Sequence, residues 1–134
     1  MRLIYVVVLA LISGCVSSTE VRLDPAVLLV DEDVSTGGTP VTMRLVNTSD
    51  REVGYNLCDA VLERRSNGLW QPAEVGRSCF SIRYSLQPRS QAVEIRVLPS
   101  DLVPGVYRFT APVTVDVRGR DSSHRISSSE FEVR

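Results

Sequence analysis

The chain contains no lysine: all 15 of its basic residues are arginine, and they are spread along its length. With a formal net charge of −1 there is no basic patch of the kind that binds nucleic acid. Histidine occurs once, at His124, and there is no C-x-x-C pair, so a dedicated zinc site lacks ligands. Phosphate-binding glycine loops, dinucleotide fingerprints and nucleophile elbows are also missing, which argues against the common nucleotide and hydrolase chemistries. No segment carries a helical apolar stripe over several turns, so a helical bundle is excluded. What remains is a chain of 134 residues, 43% hydrophobic and 23% charged. Those values fit one globular domain and exclude a disordered one.

Cysteine is scarce but informative. Cys15, Cys58 and Cys79 make an odd set, which in an exported protein implies that one of them has a separate use. Met1-Arg2 gives a minimal positive start, Leu3 to Ile12 is almost unbroken apolar sequence, and Ser13-Gly14 supplies small residues before Cys15. This is the layout of a secretory signal peptide. The run is too short to span a bilayer, which takes about 20 apolar residues.

The stretch Leu11-Ile12-Ser13-Gly14-Cys15 resembles the lipobox of bacterial lipoproteins, with Ile12 where Leu is commoner. The resemblance implies cleavage between Gly14 and Cys15 and acylation of the Cys15 thiol. The chain would then be held at a membrane through that lipid. Two or three acyl chains give a lasting anchor, since each buried methylene contributes about 0.8 kcal/mol. In Gram-negative lipoproteins an Asp after the cysteine commonly signals retention at the inner membrane, so with Val16 the resemblance implies the outer membrane where the envelope has one. The expected layout is a signal peptide over 1–14, an acylated cysteine and tether over 15–20, and a folded domain over 21–134. At about 3.3 Å per residue the tether extends only some 15–20 Å, which keeps the domain close to the membrane.

The rest of the chain reads as short strands. Val21 to Val30, punctuated by Asp24-Pro25, suits an opening edge strand, because proline cannot donate to a central ladder. Asp31 to Pro40 is a loop. Val41, Met43 and Leu45 alternate with Thr42 and Arg44, the period of a half-buried strand. Asn47-Thr48-Ser49-Asp50 is dense turn chemistry, and Val53, Tyr55 and Leu57 alternate beyond it, so the two runs are a hairpin candidate. Asn47-Thr48-Ser49 also matches the N-glycosylation pattern, with the turn as the favoured reading. A strand over Ala60 to Arg65 turns at Ser66-Asn67-Gly68 to Leu69-Trp70, and a polar loop follows over Pro72 to Ser78.

Phe80, Ile82 and Tyr84 then alternate with Ser81 and Arg83, and Val93, Ile95 and Val97 alternate with Glu94 and Arg96. Val106 to Val117 is a long extended run in which Pro112 predicts a bulge or a change of neighbour. Arg118 to Ser123 is a polar turn. In the last strand Ile126 and Phe131 differ in parity, which predicts an interruption. Short strands at these spacings indicate an all-β, antiparallel sandwich of about seven to nine strands.

Residues 41–111 resemble a bacterial immunoglobulin-like domain of envelope lipoproteins. The matching pieces are Leu45-Val46-Asn47-Thr48-Ser49-Asp50 with Val53 and Tyr55, Leu62-Glu63-Arg64-Arg65 before Gly68-Leu69-Trp70, Leu86-Gln87-Pro88, and Leu98-Pro99 through Leu102 to Pro104-Gly105-Val106-Tyr107. Arg89 stands where the family usually has glycine. Tyr107, at the start of a late strand, suits a tyrosine corner, and Trp70 suits a partly buried packing role.

With Cys15 assigned to lipid, Cys58 and Cys79 remain as a pair in an oxidising compartment. A disulfide between them would close the loop over 58–79 and contribute about 3 kcal/mol by chain entropy. A metal pair or a free thiol are the alternatives. Asp121, Ser122 and Ser123 beside His124 look like triad residue types, but a triad is a spatial arrangement, and these lie in an expected turn. Asp31, Glu32 and Asp33 lack the ligand spacing of a calcium loop.

The sequence therefore predicts a non-enzymatic envelope lipoprotein without metal or cofactor, whose domain binds another envelope protein or supports an assembly. The alternative is a proteinase inhibitor of small β-sandwich type. Its inhibitory surface would be the loop 71–78.

Overall fold

The computed structural model describes residues 23–134. The expected cleavage after Gly14, the acylation of Cys15, the tether and the first residues of the opening strand lie outside the described residues. Eleven strands follow: β1 (Ala26–Val30), β2 (Val34–Ser35), β3 (Pro40–Asn47), β4 (Val53–Tyr55), β5 (Val61–Ser66), β6 (Leu69–Pro72), β7 (Tyr84–Leu86), β8 (Gln91–Val97), β9 (Gly105–Val117), β10 (Arg120–Ser127) and β11 (Phe131–Val133). One 3₁₀ turn, Leu57–Asp59, is capped by the Asn56 side chain, which accepts from the Cys58 N–H at 3.1 Å. The number of strands becomes nine when the two-residue β2 is set aside and β10 and β11 are taken as one interrupted strand.

The strands form an immunoglobulin-like β-sandwich. The smaller sheet has the order β1-β3-β8, all antiparallel. The larger sheet is built on β9, which pairs with β10 and β11 on one side and with β5 and β4 on the other. A short parallel pairing of β2 with β11 extends it. The core lies between the sheets, where Leu28, Val41, Met43 and Leu45 meet Leu62, Tyr107, Phe109, Val113 and Phe131. Phe109 and Phe131 stack with centroids 5.8 Å apart.

Strand β3 buries Val41, Met43 and Leu45, as its alternation predicts. The hairpin expected between β3 and β4 does not form. β3 pairs with β1 and β8, while β4 pairs with β7 and β9 in the other sheet. The turn chemistry after Val46 carries the chain across the sandwich as an arch, because Val53 must reach the core from the opposite side. Asn47 holds this arch and is fully buried. Its amide nitrogen donates to the carbonyls of Arg51 at 2.7 Å and Leu86 at 3.0 Å, and its Oδ1 accepts from the Ser49 N–H at 3.0 Å. An amide used in this way has no free side to carry a glycan.

Pro112 marks a change of neighbour without a bulge. β5 pairs with β9 up to Thr110, β4 takes over at Val113, and the register to β10 runs through Pro112 unbroken. The expected interruption in the last strand is present at Ser128–Glu130. There Ser128 bonds the Phe109 backbone through both its own N–H (2.7 Å) and its hydroxyl (2.9 Å). The turn expected over Arg118–Ser123 is confined to Arg118 and Gly119, both with positive φ, and β10 begins at Arg120. Such a two-residue turn matches the twist of the strands it joins.

Two further expectations are corrected. Phe80 to Arg83 make no ladder, and β7 starts only at Tyr84. The Ile82 N–H bonds the Phe80 carbonyl at 2.7 Å, and the Asn56 amide takes the same oxygen at 3.0 Å, so backbone groups that a ladder would use are satisfied locally. In β8 the alternation is present, but it is the polar set that faces the core. Arg96 is 3% exposed, while Val93, Ile95 and Val97 are 52%, 69% and 60% exposed. Register explains the inversion: Arg96, Glu94 and Ala92 lie opposite the buried Val41, Met43 and Leu45 of β3. Buried Leu98 shares their parity.

Candidate interaction surface

The segment after β6 is irregular over residues 73–83, yet it is tied down at several points. Cys79 is disulfide-bonded to Cys58 beside the 3₁₀ turn, with a Cα–Cα distance of 5.9 Å. The Ala73 N–H bonds the Leu62 carbonyl at 2.8 Å. Glu74 forms an ion pair with Arg96, whose other terminal nitrogen donates to the Ala60 carbonyl. The Arg96 guanidinium also lies over the Phe109 ring, 5.2 Å from its centroid. Burial pulls the Arg96 pKa down and Glu74 opposes that shift. A cation is tolerated here because it is paired and hydrogen-bonded at its terminal nitrogens. Its Nε is buried without an acceptor.

Between and beyond these fixed points the segment presents apolar side chains to solvent. Val75 is 93% exposed and Phe80 83% exposed, with Ile82 and Tyr84 about half exposed. A shallow cleft of about 250 Å³ runs beneath Ile82 and Arg83, floored by Gly54, Tyr55, Pro112 and Thr114. Arg83 crosses the face of the larger sheet to Asp121 at 2.7 Å. A side chain at position 54 would collide with that guanidinium and with the Thr114 hydroxyl, so a larger residue there would displace Arg83 from the cleft. The Arg83 bond holds the Asp121 carboxyl below its ordinary range. Tyr55 and Tyr84 tilt together at 5.7 Å, and burial raises the Tyr55 hydroxyl. Clamped backbone with exposed apolar side chains can dock a protein surface at low ordering cost.

The remaining candidates fall elsewhere. Tyr107 is buried, and its hydroxyl donates to the Val103 carbonyl, the hydrogen bond of a tyrosine corner. Burial raises its pKa. Trp70 is half-buried, with Arg108 4.2 Å from its ring centroid. His124 lies within β10 rather than in a turn. Its Nε2 is 3.2 Å from the Ser122 hydroxyl, while Asp121 is engaged by Arg83. Asp31 pairs with Arg44 at 2.7 Å, and Glu32 accepts the Thr42 N–H at 2.8 Å. No cluster of metal-ligating side chains occurs among the described residues. Composition gave no sign of Asn47, Arg83 or Arg96 as organising residues. The one available signal for Arg96 was the parity it shares with Leu98.

The class defined by these features is a disulfide-bonded immunoglobulin-like sandwich. No family model matches the chain, and no curated protein matches it. Among solved structures it is similar to a PapD-like domain of human CEP192, at 14% identity over 99% of this chain and 98% of that one, with a TM-score of 0.39. The archaellum periplasmic stator protein FlaG from Sulfolobus acidocaldarius aligns at 24% identity over 79% of this chain and 99% of that one, with a TM-score of 0.43. The sporulation control protein Spo0M from Bacillus subtilis aligns at 16% identity over 83% of this chain and half of that one, with a TM-score of 0.39. At these TM-scores the likenesses carry no functional argument.

Proposed function

We propose that this chain is a non-enzymatic lipoprotein of the cell envelope, acylated at Cys15, whose sandwich binds another envelope protein through the segment 73–83. The observation that carries the reading is the exposure of Val75 and Phe80 on backbone held by the Cys58–Cys79 bond and by the Glu74–Arg96 pair. Exposed apolar side chains on a constrained loop are a feature of recognition surfaces. A crosslinked capture from intact cells, comparing the native chain with Phe80→Ser, tests it. The reading requires a reproducible partner that Phe80→Ser loses. Recovery of the same proteins by both chains defeats it. Mass spectrometry of the mature protein tests the anchor: the mass must include acyl chains on an N-terminal Cys15.

A proteinase inhibitor is the second reading. It is favoured by the exposure of Val75 to Ser78 between the Glu74 anchor and Cys79. Failure to slow any member of a protease panel removes it.

A further inference from the structure

The edges of the two sheets are protected unequally. In the larger sheet, β7 has three residues, β6 ends in Pro72, and β10 carries Arg120, Asp121, His124 and Arg125. Short length, proline and charge all discourage a second strand from adding. In the smaller sheet, β1 is covered: Leu28 bridges Ser128, and the Ser129 hydroxyl accepts the Val30 N–H at 2.9 Å. Strand β8 is neither short nor broken by proline, and its two charges, Glu94 and Arg96, lie on the inward parity while Val93, Ile95 and Val97 are exposed. It is seven residues long and, among the described residues, pairs only with β3.

The direction of its free groups is fixed by its bonds to β3. The Leu98 N–H donates to Thr39, and the Ser90 carbonyl accepts from Asn47. Backbone groups of alternate residues point to opposite sides of an antiparallel strand. Residues 92, 94 and 96 therefore point their N–H and C=O groups at β3. Those of Val93, Ile95 and Val97 point away from the sheet, and among the described residues they meet no partner. The same three side chains are exposed on the outer face, alongside Val27 and Leu29 of β1.

We propose that β8 is the pairing edge of a symmetric dimer, occupied by β8 of a second copy of this chain, antiparallel and centred on Ile95. This register sets Ile95 against Ile95, and Val93 against Val97 in both directions. Each of those pairs is of the type that exchanges both backbone hydrogen bonds, because each uses the groups that point outward. On the outer face it makes β-branched cross-strand pairs. On the inner face it sets Glu94 of each copy across from Arg96 of the other.

Charge selects this register over its neighbours. Shifting the centre to residue 94 opposes two glutamates, and shifting it to 96 opposes two arginines. The centre at Ile95 alone opposes unlike charges. Val75 and Arg77 line the same cavity as Arg96, so this edge adjoins segment 73–83; a crosslink at Ile95 tests the edge without altering Val75 or Phe80.

The test is chemical crosslinking of the full chain in intact cells, with Ile95→Cys and a short bis-maleimide, and Val27→Cys as the control. The expected product from Ile95→Cys is a species of twice the chain's mass containing this chain only, and Val27→Cys gives none. Monomer only, equal crosslinking from both variants, or a crosslink to a different protein overturns the proposal.

Sedimentation of the detergent-extracted chain gives a second measurement. In Val93→Pro the lost N–H faces outward, and in Ile95→Arg like charges meet at the twofold. Each should weaken self-association by about tenfold or more. Ile95→Arg keeps the test valid if Val93→Pro fails to fold. A dimer that survives a folded variant overturns the proposal.

Discussion

The two sheets of this sandwich treat their outer faces differently. On the larger sheet the outward positions of β9 and its neighbours carry Glu63, Arg108, Thr114, Asp116, Asp121 and Arg125, with Val61, Trp70, Val106 and Pro112 among them. On the smaller sheet they carry Val27, Leu29, Val93, Ile95 and Val97, with Arg44 among them. The smaller sheet also sends a charge inward, where Arg96 spans the sandwich to Glu74 and Ala60. One strand of a sandwich, β8, can thus be patterned opposite to the usual rule. It stays folded because the inward cation has partners on both terminal nitrogens, and because an outward valine loses little by remaining in water. An apolar outward face is then informative about binding, not about the core.

The comparison is most severely tested at Arg96. Arg96→Ala leaves Glu74 beneath the surface without its cation and opens space over Phe109. A loss of about 3–5 kcal/mol in urea unfolding is expected, the range for breaking a buried pair on one side. A loss under about 1 kcal/mol would place this residue with surface substitutions, against its burial.

Removal of the disulfide by the double change Cys58→Ala and Cys79→Ala should cost about 3 kcal/mol, from the entropy of the loop it closes. Because Glu74 and Arg96 hold the same segment, hydrogen exchange should rise first at 75–82, with the β9 amides still protected. Loss of protection throughout both sheets would show that the bond holds the sandwich together and not only the segment.

One position along β8 the outcome reverses. Ile95→Thr exchanges an exposed residue for another β-branched one, and the stability of the single chain should change by less than about 0.5 kcal/mol. A larger loss, at concentrations where the chain is monomeric, would mean that the outer face is covered within one molecule.

The smallest effect is acid sensitivity, and it should not distinguish the sheets. The hydrogen bond from Arg44 lowers the Asp31 pKa on the smaller sheet, and that from Arg83 lowers Asp121 on the larger one. A depressed carboxylate contributes stability above its unfolded value, and that contribution disappears as pH falls through the folded value. Urea midpoints of Asp31→Asn and Asp121→Asn should therefore lie slightly below the parent at neutral pH and converge with it in acid. Divergence in acid would contradict the direction of both shifts.

Much of this was open to reading in the chain. The period-two run at Val41 to Leu45, the long extended run at Val106 to Val117, the Asn67-Gly68 turn, the break at Pro112 and the parity slip between Ile126 and Phe131 are local signals. The structure has the corresponding features. The β3–β4 hairpin was misread because turn residues specify a reversal of the chain, not the sheet into which the next strand goes. Phe80 and Ile82 were misread because alternation says nothing about whether a partner strand is within reach. The candidate surface was legible only as the loop 71–78 and its cysteines. The exposed Phe80 and the Glu74–Arg96 anchor were not.

By itself, then, the sequence determined the fold class, the segments able to be strands and the pairing open to Cys58 and Cys79, because period, turn chemistry and cysteine number are properties of neighbouring residues along the chain. Only the tertiary structure decided which face of β8 is buried, that Asn47 fastens an arch, and which strand edge stays open. Those outcomes depend on what lies across the sandwich. An arginine faces inward when the register of β3 demands it and a distant glutamate and carbonyl are there to receive it, and nothing local to Glu94-Ile95-Arg96 encodes that company.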